Sequence, residues 1–171
     1  MLRGFDMKGF HAALDAERRA RGLTWIELPN EINRPFEGTP SIPISVTTLR
    51  GMPSKRSVTS AAVLQVLRWL GRAPESFLIG REGAAASGEE LPETGPGRIL
   101  RFDTRALHAA LDAERRKRGL TWRQLAGELP GFTEGMLVNL AVGPLIRFPR
   151  ATVLTQWLER PVASFVRDHP R

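Results

Sequence analysis

Few side chains in this sequence are suited to covalent or acid–base chemistry. It has no cysteine and three histidines, His11, His108 and His169. Without thiols there is no disulfide framework, no thiolate metal site and no cysteine nucleophile. His11 and His108 hold the same place in two similar stretches, where an amphipathic surface imidazole is expected over a metal ligand or general base. No carboxylate–histidine cluster and no glycine-rich phosphate loop accompanies them. The reading is therefore of a protein that is not an enzyme, with no catalytic residue, metal or cofactor. Positive charge is what the chain has in excess: 25 Lys and Arg against 18 Asp and Glu, net +7, with a sequence pI near 11.2. That balance points to a polyanionic partner, or to nothing more than an arginine-rich coding bias. The runs ERRARG (17–22) and ERRKRG (114–119) offer either contacts along a charged backbone or solvated helix ends, where arginine suits the C-terminal dipole.

The 171 residues, 42% of them hydrophobic, suffice for one or two globular domains. No apolar run approaches the roughly 18 residues of a spanning helix, and the opening MLRGFDMKGF lacks the features of a secretory signal. The expectation is a cytoplasmic protein with no membrane partner.

Laid over itself, the chain repeats. FDMKGFHAALDAERRARGLTWIEL (5–28) recurs as FDTRALHAALDAERRKRGLTWRQL (102–125), with 17 of 24 positions identical at a shift of 97. The match resumes at a shift of 88 between residues 45–78 and 133–166, where 6 of 34 positions agree. The first copy thus carries nine extra residues between Pro29 and Ser45, in a proline-rich stretch. That insertion (30–44) reads as a wing contacting the polyanionic partner, a partner-binding loop or a tolerated surface excursion. Residues 81–98, rich in Gly, Pro, Ala and Glu, read as a flexible linker between domains 1–80 and 99–171. Its 18 residues would let the copies move apart enough to reach two sites about 34 Å from one another.

Each copy reads as all-α. Phe5-Asp6 and Phe102-Asp103 are helix starts, with Asp as N-cap and Phe stapling onto Phe10 or Leu107. Asp15 with Arg19, and Asp112 with Arg116, sit one turn apart, and Gly22 or Gly119 ends the helix. Thr24-x-x-Glu27 and Thr121-x-x-Gln124 are capping-box spacings, predicting second helices from Trp25 and Trp122. A short third helix (about 45–52 and 133–141), a fourth (about 59–70 and 149–158) and a turn carrying Phe77 or Phe165 complete each copy. Trp25, Trp69, Trp122 and Trp157 fall on core-facing helical positions, which favours packing over base stacking. No strand or hairpin pattern stands out.

The order of ERRARGLTWIEL, SVTTLRGMPSKR and LRWLGRAPESF, with ERRKRGLTWRQLAGEL and TQWLERPVASF in the second copy, resembles the lambda-repressor-like (XRE, Cro/CI-type) helix-turn-helix family. The resemblance implies two tandem helix-turn-helix domains of four to five short helices each. In that family the third helix lies in the major groove of double-stranded DNA. The implied base-reading residues are Ser45, Thr47, Thr48 and Arg50. The implied phosphate contacts are Thr24, Lys55, Arg56, Thr121, Arg123, Arg147 and Arg150.

Two departures accompany it. Pro29 stands where the second copy has Ala126, and the insertion enlarges the turn of the first copy. The second reading helix presents Thr133, Glu134, Gly135, Met136, Val138 and Asn139, a degenerate set in which Thr133 and Asn139 retain reading chemistry. The functional expectation is a prokaryotic, sequence-specific DNA-binding transcriptional regulator with no small-molecule substrate. The alternative is a protein-interaction module whose 136–138 surface binds a second copy or another protein.

Overall fold

The computed structural model describes residues 2–38, 44–54, 58–80, 90–93, 95–143 and 146–170. Among them the order is α1 (Met7–Ala20), α2 (Glu27–Ile32), α3 (Val46–Gly51), β1 (Val58–Thr59), α4 (Ser60–Leu70), β2 (Arg98–Phe102), α5 (Thr104–Lys117), α6 (Trp122–Glu128), α7 (Glu134–Val138), β3 (Arg147–Phe148), α8 (Arg150–Trp157) and β4 (Val166–Pro170). Short 3-10 turns follow α2, α3, α4, α7 and α8.

The first helix of each copy forms for the same reasons. Asp6 and Asp103 are N-caps whose carboxylates accept from the amides of Gly9 and Ala106 at 2.9 and 3.0 Å. At the other end Gly22 and Gly119 take φ of +67° and +69°, a left-handed conformation that glycine adopts without a Cβ clash. The chain then closes back, Leu23 N onto Arg18 O at 3.0 Å and Leu120 N onto Arg115 O at 2.9 Å, satisfying carbonyls the helix end leaves open. Asp15 accepts from Arg18 and Asp112 from Arg115, at 2.7 and 2.5 Å, and each carboxylate also holds the next arginine at 3.1 Å.

The second helices differ. Both capping boxes form, but α6 starts at Trp122 whereas α2 starts only at Glu27, two residues later than the matching position. The delay accommodates Pro29. It falls in the first turn of α2, where backbone N–H groups have no intrahelical acceptor, so the missing donor costs no helix bond. The insertion is pinned at its exit by the Asn33 side chain, whose amide donates to Ile44 O at 2.7 Å and whose oxygen accepts from Ile44 N at 3.2 Å. Phe36 and Ile44 are buried, so the ends of the insertion belong to the core. Residues 39–43 lie outside the described residues.

The all-α expectation is overturned by two small antiparallel sheets. In one, β1 pairs with β3, Val58 opposite Phe148 and Thr59 opposite Arg147. The repeat relates Thr59 to Arg147, so this pair lies on an approximate two-fold axis between the copies. In the other, β2 pairs with β4 over five positions, from Arg98 opposite Pro170 to Phe102 opposite Val166. The first copy has the same pairing in brief: Phe5 bridges Leu78, and Ile79 N donates to Gly4 O at 2.8 Å. These strands escape helix-period reasoning because their partners lie far along the chain, and because the VRDHP segment of β4 carries no apolar alternation.

The sheets also change the relation between the copies. Buried residues of both form one hydrophobic cluster. Phe148 is fully buried, with ring centroids 5.1 Å from Phe5 and 5.9 Å from Phe102, one phenylalanine from each copy's first element. Ser60 Oγ donates to Ile146 O, Gln156 bonds the backbone N and O of Arg3 at 2.8 Å each, and Glu75 accepts from Val162 N at 2.6 Å. Arg98, placed in the linker on sequence, opens β2, and Gly97 N donates to Pro35 O at 2.6 Å. Packing, and not the length of a flexible linker, therefore sets the spacing of the copies; residues 81–89 lie outside the described ones.

Candidate nucleic-acid interface

The short helices after each turn sit where the repeat places them, α3 against α2 and α7 against α6. Each opens with a hydroxyl N-cap. Ser45 Oγ accepts from Thr48 N at 3.2 Å and lies 3.0 Å from Thr48 Oγ1. Thr133 Oγ1 accepts from Met136 N at 3.3 Å. Two of the four residues expected to read bases, Ser45 and Thr48, are thus engaged with each other. Thr47 and Arg50 point their exposed side chains outward from the same helix. In α7 the matching positions are Gly135 and Val138, with Glu134 exposed beside them and Asn139 exposed just beyond the helix.

The phosphate-binding expectations divide between the copies. Thr24 and Thr121 are both exposed, and both hydroxyls are committed as caps, accepting from Glu27 N and Gln124 N at 3.1 Å. The cap in the first copy is acidic: Glu27 accepts from Thr24 N at 3.1 Å, and these bonds, the backbone amide first and the hydroxyl second, lower its pKa below the usual carboxylate range. A carboxylate held ionised there repels a phosphate. The second copy has neutral Gln124 in that place, bonded to Thr121 N at 2.8 Å, and exposed Arg123 where the first copy has Ile26, 75% exposed. Arg147 and Arg150 are also exposed, Arg147 on the two-fold axis itself and Arg150 at the start of α8. Lys55 and Arg56 lie outside the described residues.

The arginine runs that suggested backbone contact are largely occupied. Arg18 donates to Asp15 and to Leu23 O at 2.6 Å while lying 4.8 Å from the Trp25 ring centre; Arg115 repeats this with Asp112, Leu120 O and Trp122. Arg21 pairs with Glu17 at 2.8 Å and stacks 4.3 Å over Trp69; Arg118 pairs with Glu114 at 2.9 Å and stacks 4.3 Å over Trp157. The four tryptophans pack on or in the core. His11 and His108 stack on Trp25 and Trp122 with ring centres 5.4 and 4.9 Å apart. Arg19, Arg116 and Lys117 remain turned to solvent.

Sequence reasoning missed a basic cluster around the start of α5. Arg101, Arg105, Arg167 and His169 line a shallow depression of about 440 Å³ together with Val142 and Gly143, next to the end of the second short helix. The spacing Arg101-x-x-x-Arg105 across the Asp103 cap was the available signal; the convergence of Arg167 from β4 was not, because it depends on the sheet. Among the described residues no group of three His, Asp or Glu could hold a metal ion, and no helix is long and apolar enough to cross a membrane. No protein-family model matches the chain, and neither do the curated proteins or the solved structures.

Proposed function

We propose that the protein is a DNA-binding transcriptional regulator that presents two helix-turn-helix units as one covalent, pseudo-symmetric body. The observation carrying this reading is the two-fold pairing through β1 and β3 of two copies that each expose a short, hydroxyl-capped helix. Both short helices end within nine residues of the axis pair Thr59–Arg147. At a maximum of roughly 3.3–3.6 Å per residue, that allows each to lie up to about 30 Å from the axis, enough for major grooves one turn, about 34 Å, apart.

The copies divide the work. In α3 of the first, Thr47 and Arg50 read base edges, Arg50 with the fork that suits guanine. The second supplies position more than sequence, through Arg123, Arg147, Arg150 and the Arg105–Arg167 cluster on phosphates. A labelled pool of random duplexes, titrated with protein and followed by fluorescence anisotropy across a salt series, tests the reading. Binding that weakens linearly in log salt supports it, and no binding at low salt refutes it.

A second reading has its own observation. Val138 and Val142, 43% and 79% exposed, give the second copy an apolar face at the position where a DNA reader would place polar groups. On that reading α7 docks a protein partner or a second copy of the chain, and the same titration returns no DNA binding while sedimentation reveals self-association.

A further inference from the structure

The depression of about 440 Å³ beside the start of α5 is large enough for a small molecule, and the β2–β4 sheet gathers charge in it. Arg101 stands directly opposite Arg167 across the two strands, so both side chains leave the sheet on the same face. His169, two residues on from Arg167, shares that face, and Arg105 joins from the first turn of α5. Like charges set opposite each other in a sheet repel, and an anion between them removes the repulsion. The opposed arginines are particular to the second copy: the matching residues of the first are Gly4 and Ile79, with Lys8 answering Arg105.

The side chains of Arg101 and Arg105 make no hydrogen bond or ion pair among the described residues. Arg101 Nε is closed off from solvent, which leaves the two Nη groups of that guanidinium to meet an occupant. Arg167 donates from Nη1 to Ser164 O and Val166 O at 3.0 and 2.9 Å, bonds to neutral carbonyls that hold the group in place and leave its charge uncompensated. Asp103 is the one acid in the lining, and its carboxylate caps α5 through Ala106 N at 3.0 Å. Asp168 lies on the other face of the sheet, paired with Arg98 at 2.6 Å. Three arginines against one carboxylate leave the lining an excess of two positive charges. Thr104 Oγ1, donating to Gly143 O at 2.7 Å, ties the segment after α7 to the start of α5 and frames one side.

We propose that this depression binds the dianionic phosphate of a small phosphomonoester. The phosphate sits among Arg101, Arg105 and Arg167, whose forked guanidinium groups suit its oxygens. Val142, 79% exposed, borders the room left for the organic part. A dianion matches the excess of two charges, whereas each backbone link of DNA, a diester, carries one. The DNA-binding reading sets the same cluster against phosphates, so a bound monoester competes with DNA at the second copy. The site itself is read without DNA, and either reading can fail alone.

Proton–nitrogen correlation spectra of the full chain, titrated at constant ionic strength with methyl phosphate and with dimethyl phosphate, test it. Near pH 8, about two units above a second pKa of roughly 6, the monoester is a dianion, while the diester is a monoanion and stands for the DNA backbone. Methyl phosphate is expected to shift the amide signals of Thr104, Arg105, Gly143 and Arg167 together and saturably. It should bind about tenfold tighter than dimethyl phosphate, the size of one charge-assisted hydrogen bond. The signals of Gly4 and Ile79 should stay in place. Arg105→Gln, at an exposed position, should weaken methyl phosphate about tenfold with the rest of the spectrum unchanged, and Lys8→Gln in the first copy should have no effect. Absence of a saturable shift at those four residues at tens of millimolar overturns the proposal, whatever the random-duplex titration shows. So does equal affinity for the diester, which makes the depression a backbone contact only, or an Arg105→Gln variant that binds methyl phosphate as the wild type does.

Discussion

The two copies share a framework and differ in what they offer a partner. From Asp6 to Leu23 and from Asp103 to Leu120 the same cap, the same Asp–Arg pairs, the same glycine stop and the same arginine–tryptophan stacks recur with nearly equal distances. Beyond that stretch the order of the helices repeats, with a later start to α2 and an insertion in the first copy, while the surface does not. Arg50 is answered by Val138, Glu27 by Gln124 and Ile26 by Arg123. On the proposed reading, the first copy carries the base-reading groups, with an acid at the start of its second helix, and the second carries the phosphate contacts and a more apolar short helix. A duplicated unit held in one body need not keep every function in each half, because the partner half sits at a fixed distance and supplies what is missing.

The largest effect should come from breaking the junction that makes the halves one body. Phe148→Ala removes the ring shared by Phe5 and Phe102 and should cost about 3–5 kcal/mol, read by denaturant unfolding. Wild type should unfold in one transition by both tryptophan fluorescence and far-ultraviolet circular dichroism, since both copies draw on one core. Two separated transitions in the wild type would show halves that fold on their own.

Next in size is the asymmetry of the reading helices. Arg50→Ala should weaken DNA binding by about 1–3 kcal/mol at a preferred site, whereas Val138→Ala should leave it nearly unchanged. Val138→Arg, which gives the second copy the cation of the first, should steepen the log–log salt dependence by about one unit.

A smaller effect follows from the repeated Asp–Arg pairs. Hydrogen bonding from Arg18 and Arg115, ahead of the charges of their neighbours, lowers the pKa of Asp15 and Asp112 in the folded protein. A depressed folded value means the stabilisation is fully present above the ordinary aspartate range and is lost as pH falls through the folded values. Asp15→Asn and Asp112→Asn should therefore each flatten the acid limb of a stability-against-pH curve, by similar amounts, and change its neutral slope little. The smallest effect is expected at Arg19 and Lys117, exposed on their helices, where alanine should shift stability by less than about 0.5 kcal/mol.

Much of each unit was legible because it is local. The caps at Asp6 and Asp103, the stops at Gly22 and Gly119 and the four-helix order depend on residues within a few positions of one another. What joins the units was not. Thr59 meets Arg147 and Phe102 meets Val166 only after the chain has folded back, and a two-residue strand has no period to detect. The same blindness applied to the interface. The exposure of Thr47 and Arg50 follows from helix position alone, but the engagement of the ERRARG arginines with tryptophan and carboxylate, and the gathering of Arg105 and Arg167 around one depression, are tertiary facts.

Selection of preferred sites from a random duplex pool by the wild-type chain tests the division of labour most directly. The account predicts one strongly specified half-site, flanked about one turn away by a stretch contacted through its phosphates with little base preference, and loss of that specificity in Arg50→Ala. A palindrome with two equally specified arms would contradict it.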